Sequence, residues 1–280
     1  MTQPSPIFIK KASGEKVAFE PQKLLNSLTK AGAVPEVAEV ILKQIESELR
    51  PGMSTARIYQ RAFNLLRKSS RPLAAKYKLK RAVMELGPSG YPFEQYVGAL
   101  LERQGYKVKV GVTVMGKCVS HEVDVLAEKD NHRLAIECKF GAKAGKRLDV
   151  KVPLYIRSRV NDLIDAWREE PGGKDLIYEG WIVTNGMFSG DAQEYGTCSG
   201  MTLVSWDFPQ HSNLKIRIER SGLYPVTTLV TLTKAEKKIL LDKGIILIKS
   251  LLDHPHLLES LNVSPTRRKR AQEEIEALCM

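Results

Sequence analysis

Apolar side chains recur along this chain with two different periods, and the places where the period changes divide it. Ile7-Phe8-Ile9 and Val17-Ala18-Phe19 flank Ser13-Gly14, the pattern of a short hairpin. Pro21 suits a first helical position, and Leu24, Leu25 and Leu28 follow at helical spacing. Val37, Val40, Ile41, Ile45 and Leu49 predict a second helix. Ile58, Ala62, Leu65 and Leu66, behind a Ser54 or Thr55 cap, predict a third, and residues 71–86 a fourth. The first segment therefore reads as a small hairpin on four helices.

Gly87-Pro88-Ser89-Gly90-Tyr91-Pro92 interrupts regular structure, and beyond it the rhythm changes. Phe93, Val97, Leu100 and Leu101 mark a helix ending near Gly105. Strand-like alternation then runs through Tyr106 to Val110 and Cys118 to Leu126, and Leu134 to Phe140 follows as a third strand. A long helix comes next, with Val152, Tyr155, Ile156, Val160, Leu163, Ile164 and Trp167 on its buried side. Trp181 to Thr184 reads as a strand, Asp191 to Thr197 as a helix, and Leu203 to Trp206 and Lys215 to Ile218 as strands. Helix, three strands, helix, strand, helix, strand is a mixed sheet flanked by helices: an α/β core in a chain that is α+β overall. A second break, Ser221-Gly222-Leu223-Tyr224-Pro225, precedes a helical C-terminal segment. The expected domains are 1–88, 89–222 and 223–280.

Charge sharpens this division. The net charge of +11 is uneven: residues 1–88 hold 16 basic and 7 acidic side chains, a balance of +9, whereas residues 89–220 hold 18 of each. Such an excess suits a phosphate-bearing partner for the first segment. The 280 residues contain no apolar run long enough to span a bilayer and no apolar signal region. The four cysteines (Cys118, Cys138, Cys198, Cys279) form no Cys-x-x-Cys pair. A soluble, reduced, cytoplasmic protein is expected, without membrane contact.

The chemistry gathers in two strands, His121-Glu122-Val123-Asp124-Val125 and Ala135-Ile136-Glu137-Cys138-Lys139. A two-residue turn at Asp130-Asn131 would make opposed residue numbers sum to 261 and set Asp124 against Glu137, with Lys139 on the same face as Glu137. Opposed carboxylates repel unless a cation lies between them, and Mg²⁺ is commonly held by one or two carboxylates with water and phosphate oxygens. Lys139 could stabilise charge on a reacting phosphate or help orient water, and Glu94 on the preceding helix could add a ligand. The parts fit metal-assisted phosphodiester hydrolysis. A solvated strand face explains each residue singly.

The middle segment resembles the Mrr-like restriction endonucleases of the PD-(D/E)xK nuclease superfamily. The likeness lies in Phe93-Glu94 with Leu100-Leu101 and Gly105-Tyr106, in Val123-Asp124-Val125, in Glu137-Cys138-Lys139, and in Val183-Thr184-Asn185-Gly186 followed by a helix with Ala192. The resemblance implies Asp124 and Glu137 as ligands of Mg²⁺ or Mn²⁺, Lys139 as catalytic lysine and Glu94 as the helix carboxylate. It offers no helix Gln near the site, a residue some relatives carry.

The first segment resembles an ATP-cone. This likeness rests on Ile9-Lys10-Lys11, Gly14, Phe19-Glu20-Pro21-Gln22-Lys23, Thr55-Ala56-Arg57-Ile58 and Ala75-Lys76-Tyr77-Lys78, with Lys11-Ala12-Ser13-Gly14 in place of the usual Lys-Arg-Asp-Gly turn. It implies ATP or dATP as ligand, with Lys11 and Lys23 on phosphates and Ile9, Glu20 and Thr55 near the nucleoside. No Walker-type loop is present, so nucleotide hydrolysis is not expected.

Together these readings describe a Mg²⁺-dependent DNA endonuclease with a nucleotide-sensing front, dimeric if it cuts both strands of a duplex. A catalytically silent, nucleotide-responsive DNA-binding or regulatory protein is a second reading, and an RNA-directed or structure-specific nuclease a third. His121 and the pair His254 and His256 are assigned to surface, core or turn roles, and Arg267-Arg268-Lys269-Arg270 to an exposed helix side or a phosphate contact.

Overall fold

The computed structural model describes residues 6–279 apart from 12, 143, 144 and 146. β1 (Phe8–Lys10) and β2 (Lys16–Ala18) pair antiparallel, Ile9 opposite Val17. Then α1 (Pro21–Thr29), α2 (Pro35–Glu48) and α3 (Thr55–Ser69) bury Leu28, Ala38, Ile45, Ala62 and Leu66 in one cluster. Ser54, rather than Thr55, caps α3: its hydroxyl accepts the Arg57 N–H. Val40 stands 65% exposed, because Ala38, Ile41, Leu42 and Ile45 fill the inward stripe without it. The expected fourth helix is two, α4 (Arg71–Tyr77) and α5 (Leu79–Met84), so the hairpin rests on five helical pieces. They divide at Lys78, whose N–H is shared between the Ala74 and Ala75 carbonyls in the tightened geometry of a helix end.

The core of the molecule is a five-stranded sheet. After α6 (Tyr91–Glu102) come β3 (Lys107–Met115), β4 (Ser120–Lys129), β5 (His132–Lys139), a short β6 (Arg147–Leu148), α7 (Lys151–Trp167), β7 (Ile177–Thr184), a short β8 (Met187–Phe188), α8 (Gly190–Cys198) and β9 (Thr202–Val204). The strand order is β3-β4-β5-β7-β9, antiparallel across the first three and parallel from β5 onward, while β6 and β8 pair separately. Two helical crossovers, through α7 and α8, make the parallel half. One face packs on α6, the other on α7 and α8. Gly98 lets α6 lie close: a Cβ there would come within 3.0 Å of Val110.

The expected strand over 215–218 is instead α9 (Leu214–Ser221). Lys-Ile-Arg-Ile-Glu alternates as a strand would, but the Asn213 side chain accepts the Ile216 N–H as an N-cap, and Leu214 and Ile218, one turn apart, are fully buried. The last segment forms α10 (Lys234–Asp242), α11 (Ile248–Asp253), α12 (His256–Glu259) and α13 (Pro265–Cys279). It shares a core with the α6 face of the sheet, a single cluster running from Phe93 and Ile136 to Leu251 and Ile275. The buried Tyr96 hydroxyl donates to the Leu223 carbonyl at 2.7 Å, tying α6 to this segment. Arg267 is spent on packing: its guanidinium pairs with Glu236 of the α10 capping box and with the Thr231 carbonyl.

Candidate active site

The β4–β5 hairpin has the expected register. Lys129 pairs with His132 across Asp130-Asn131, Asp130 adopts the left-handed φ of 52° that such a turn favours, and the ladder keeps its sum of 261 up to Val125 opposite Ile136. There it stops. On the other side, β3 and β4 pair at Val110–Val125 and Val112–Val123 but not at Gly111–Asp124 between them. Gly111 has a φ of +63°, and at this level both strands turn over. Val108, Val110, Val125 and Ala127 belong to the α6 face, whereas Val112, Val114 and Val123 belong to the α7 face. A glycine inside a strand commonly marks such a twist. Residues 123 and 125, two apart, thus face opposite ways, and Asp124 occupies the crossover with its backbone free of both ladders.

That placement frees the Asp124 carboxylate to do something other than oppose Glu137 squarely. Its Oδ2 accepts the Cys138 N–H at 2.7 Å, beside Glu137. Glu137 is nearly buried, and both its oxygens are engaged: Oε1 with Lys139 Nζ, and Oε2 with Arg159 Nη1 at 2.7 Å. Arg159, on α7, also donates to the Glu122 carbonyl and so fastens β4 to Glu137. Its role was not foreseen, although a signal existed: residue 159 is three from Ile156 and four from Leu163, a charge set within an apolar stripe. Tyr155, expected on the buried side, is 63% exposed and lies against Arg159, whose guanidinium carbon is 5.7 Å from the ring centre.

Behind the site, Thr184 and Asn185 hold the end of β5. The Thr184 hydroxyl donates to the Lys139 carbonyl at 2.6 Å, and the buried Asn185 amide pairs with both the N–H and the carbonyl of Gly141. The Val-Thr-Asn-Gly stretch therefore holds the backbone on which Lys139 stands. His121 sits apart, its Nε2 2.8 Å from Asp162 on α7.

Electrostatics tie Glu94 to the same place. Burial, then Asp124, Glu122 and Glu137, push its carboxyl up to about 7, while burial and Glu137 push Asp124 up to about 6. Burial is the larger cause for both groups, and the neighbouring carboxylates add to it more than Lys139 and Arg159 offset. The donors are hard oxygens, and among the described residues no group of three or more acidic, His or Cys side chains is gathered into a complete cage. Hard carboxylate oxygens of this kind suit Mg²⁺ or Mn²⁺, which complete their shell with water and phosphate, and do not suit a structural zinc site; a cation there would share Glu137 with Lys139 and Arg159.

The pH dependence follows in sign. Native carboxyls raised to about 6 and about 7 stay protonated where the unfolded chain's, near pKa ~4, have ionised. Their contribution to stability is fully present below about pH 4 and is lost as pH rises from about 4 through about 7. Without divalent metal, wild type should lose more stability than Asp124→Asn across that window. Mg²⁺ should raise the melting temperature of wild type more at pH 8 than at pH 6. A larger Mg²⁺ effect at pH 6 would contradict this arrangement.

At the front of the chain, Ile9, Lys11, Glu20, Lys23 and Thr55 do come to one place. They line a recess of about 220 Å³ with Phe19, Ile58 and the stacked rings of Tyr59 and Tyr77, 4.9 Å between centres. Lys11 and Lys23 are exposed, paired with Glu15 and Glu20 at 2.9 and 2.7 Å. Glu20 makes no side-chain cap to α1. Among the described residues, no helix is long and apolar enough to cross a membrane.

Residues 87–207 match the sequence family described as restriction endonuclease, and residues 224–279 the family described as AF1548-like, C-terminal. An uncharacterized protein of Archaeoglobus fulgidus is 36% identical over 130 residues, 46% of this chain and 69% of that protein. The crystal structure of AF1548, a protein of unknown function, matches at 28% identity with a TM-score of 0.54, over 68% of this chain and 98% of that one.

Proposed function

This chain belongs to the family of the uncharacterized Archaeoglobus fulgidus protein and carries a restriction endonuclease domain, and from that premise we propose that it is a metal-dependent DNA endonuclease whose N-terminal domain senses a nucleotide. The observation that carries the proposal is the meeting of Asp124, Glu137, Lys139 and Glu94 where β4 and β5 part from each other. Asp124 and Glu137 are the residues that would hold Mg²⁺ or Mn²⁺. Lewis acidity toward water and phosphate is what such a cation supplies when bound.

The chain's own groups divide the remaining work. Lys139 presents a cation to the non-bridging oxygens of the phosphate and stabilises charge that develops there. Arg159 fixes the rotamer of Glu137. Glu94, with its carboxyl near 7, can hold or release a proton at neutral pH. One such site cuts one strand, so severing a duplex at a point takes two copies.

For the front domain, the recess lined by Ile9, Lys11, Glu20, Lys23 and Thr55 supports an ATP-cone-like module that binds ATP or dATP, with Lys11 and Lys23 on the phosphates. The basic balance of residues 1–88 agrees with it. The test is DNA cleavage by the full chain with Mg²⁺, with and without ATP, beside Lys23→Ala. Cutting that requires Mg²⁺, at a rate that ATP changes in wild type and changes less in Lys23→Ala, is the expected result. Cutting indifferent to ATP, with no ATP bound, would remove the sensing role and leave the nuclease.

A further inference from the structure

Ten large hydrophobic side chains stand exposed among the described residues, and five of them, Tyr91, Met115, Val119, Leu154 and Tyr155, lie on α6, α7 and the outer end of the β3–β4 hairpin. All three elements border the candidate active site. Tyr91 stands on the α6 side of the sheet and Leu154 and Tyr155 on the α7 side, so exposed apolar groups flank the site from both faces.

Two of the five are aromatic and stand one contact away from the site carboxylates. Tyr91, 53% exposed, opens α6 one turn before Glu94. Its Cε2 lies 3.8 Å from where a Cβ on Gly111 would be, and Gly111 is the residue across from Asp124. Tyr155 precedes Arg159 by one turn and lies against its guanidinium, which in turn binds Glu137. One exposed ring thus adjoins the Asp124 side of the site and another the Glu137 side.

Met115 and Val119 form the hairpin tip, and this tip is held rigidly. Asp162 on α7 accepts the Cys118 and Val119 N–H groups at 2.9 and 3.3 Å, and the Lys117 N–H donates to the Asp162 carbonyl. A Cβ on Gly116 would lie 2.1 Å from the Asp162 carboxylate, so only glycine fits the turn. The tip presents apolar groups to solvent, 59% and 56% exposed, on a fixed mount.

We propose that the site takes a DNA strand whose bases are out of the duplex stack around the scissile phosphate. The bases on its two sides lie on Tyr91 and Tyr155, and Met115 and Val119 act as a wedge against the neighbouring stack. The inference rests on the nuclease reading above and narrows its substrate to unpaired or opened DNA. Aromatic platforms take any base by its face and have little to offer a continuous duplex, whose base faces are covered. Apolar wedges at a base step serve to open one. A single strand also needs only one site.

The test measures binding of the full chain, in EDTA, to a labelled single strand and to the same sequence as a duplex, then cleavage of both and of a bubble substrate in Mg²⁺. The single strand and the bubble should be preferred over the duplex by at least about tenfold. Tyr91→Ala and Tyr155→Ala should each lose about 5- to 150-fold on the unpaired substrates, the range of one lost base stack. Tyr91→Phe and Tyr155→Phe, which keep the ring, should hold the wild-type preference, so that a folding defect in an alanine variant is recognisable. Equal handling of duplex and single strand, or alanine variants equal to wild type, would overturn the inference while leaving a nuclease in place. Tyrosine-dependent binding of the single strand with no cleavage in Mg²⁺ or Mn²⁺ would uphold strand recognition and remove the nuclease reading instead.

Discussion

Asp124→Asn should lower the rate of DNA cleavage by about 10²–10³-fold, the scale on which removal of one preorganised charge-stabilising group is felt. The variant should still fold. Asn keeps the side-chain oxygen that accepts the Cys138 N–H, so the local geometry survives while the negative charge is lost. It also removes the strongest charge acting on Glu94, so Glu94 should ionise at lower pH than it does in wild type. Cleavage rates beside a circular dichroism spectrum check both halves. An Asn variant that cuts at the wild-type rate would remove Asp124 from the mechanism, and one that is unfolded would show that its charge is structural.

The second large effect is on stability. Phe93 is fully buried next to Glu94 and packs on Phe140, just beyond Lys139, with 5.6 Å between ring centres. Phe93→Ala removes a complete ring from the cluster that joins α6, the sheet and the C-terminal helices. The expected cost is about 3–5 kcal/mol. At roughly 2–4 °C per kcal/mol for a domain of this size, that is a fall in Tm on the order of 10 °C. Cleavage should fall as well, since Phe93 anchors the turn that presents Glu94 and Phe140 closes the strand that presents Lys139. Tyr155→Ala is the contrast: the side chain is exposed, and its stability effect should stay within about 0.5 kcal/mol. Thermal melts of the two variants make the comparison. A Phe93→Ala protein that melts with the wild type would contradict the shared core.

How much of this was legible in the sequence depended on whether a local pattern has one solution. The turn at Asp130-Asn131 fixed the register of β4 against β5, because two central residues with one in the left-handed region define a hairpin. The ordering of α6, three strands, α7 and the later crossovers followed from changes of period. Two kinds of feature did not follow. Alternation could not distinguish a strand from a short amphipathic helix over 215–218, where the Asn213 cap was the deciding residue. Nor could a period of two foresee that β3 and β4 turn over at Gly111 and Asp124, since the rule that residues two apart share a face assumes an uninterrupted ladder. The glycine was the available clue.

The same limit explains the side chains around the site. Arg159 was hidden in a helix read for its apolar stripe, and Tyr155 was assigned to that stripe although it stands in solvent. An apolar ring at helical spacing does not announce whether the neighbouring strand is there to cover it.

The most direct test of the central claim is cleavage of DNA by wild type and Lys139→Met in Mg²⁺, with binding measured on the same samples. Methionine keeps much of the lysine stem and removes only the charge. Wild type should cut, with the activity lost in EDTA, and Lys139→Met should bind DNA but cut about 10²-fold more slowly or not at all. Equal cutting by Lys139→Met, or binding without cutting by wild type on paired and unpaired DNA alike, would contradict the claim that this constellation hydrolyses phosphodiesters.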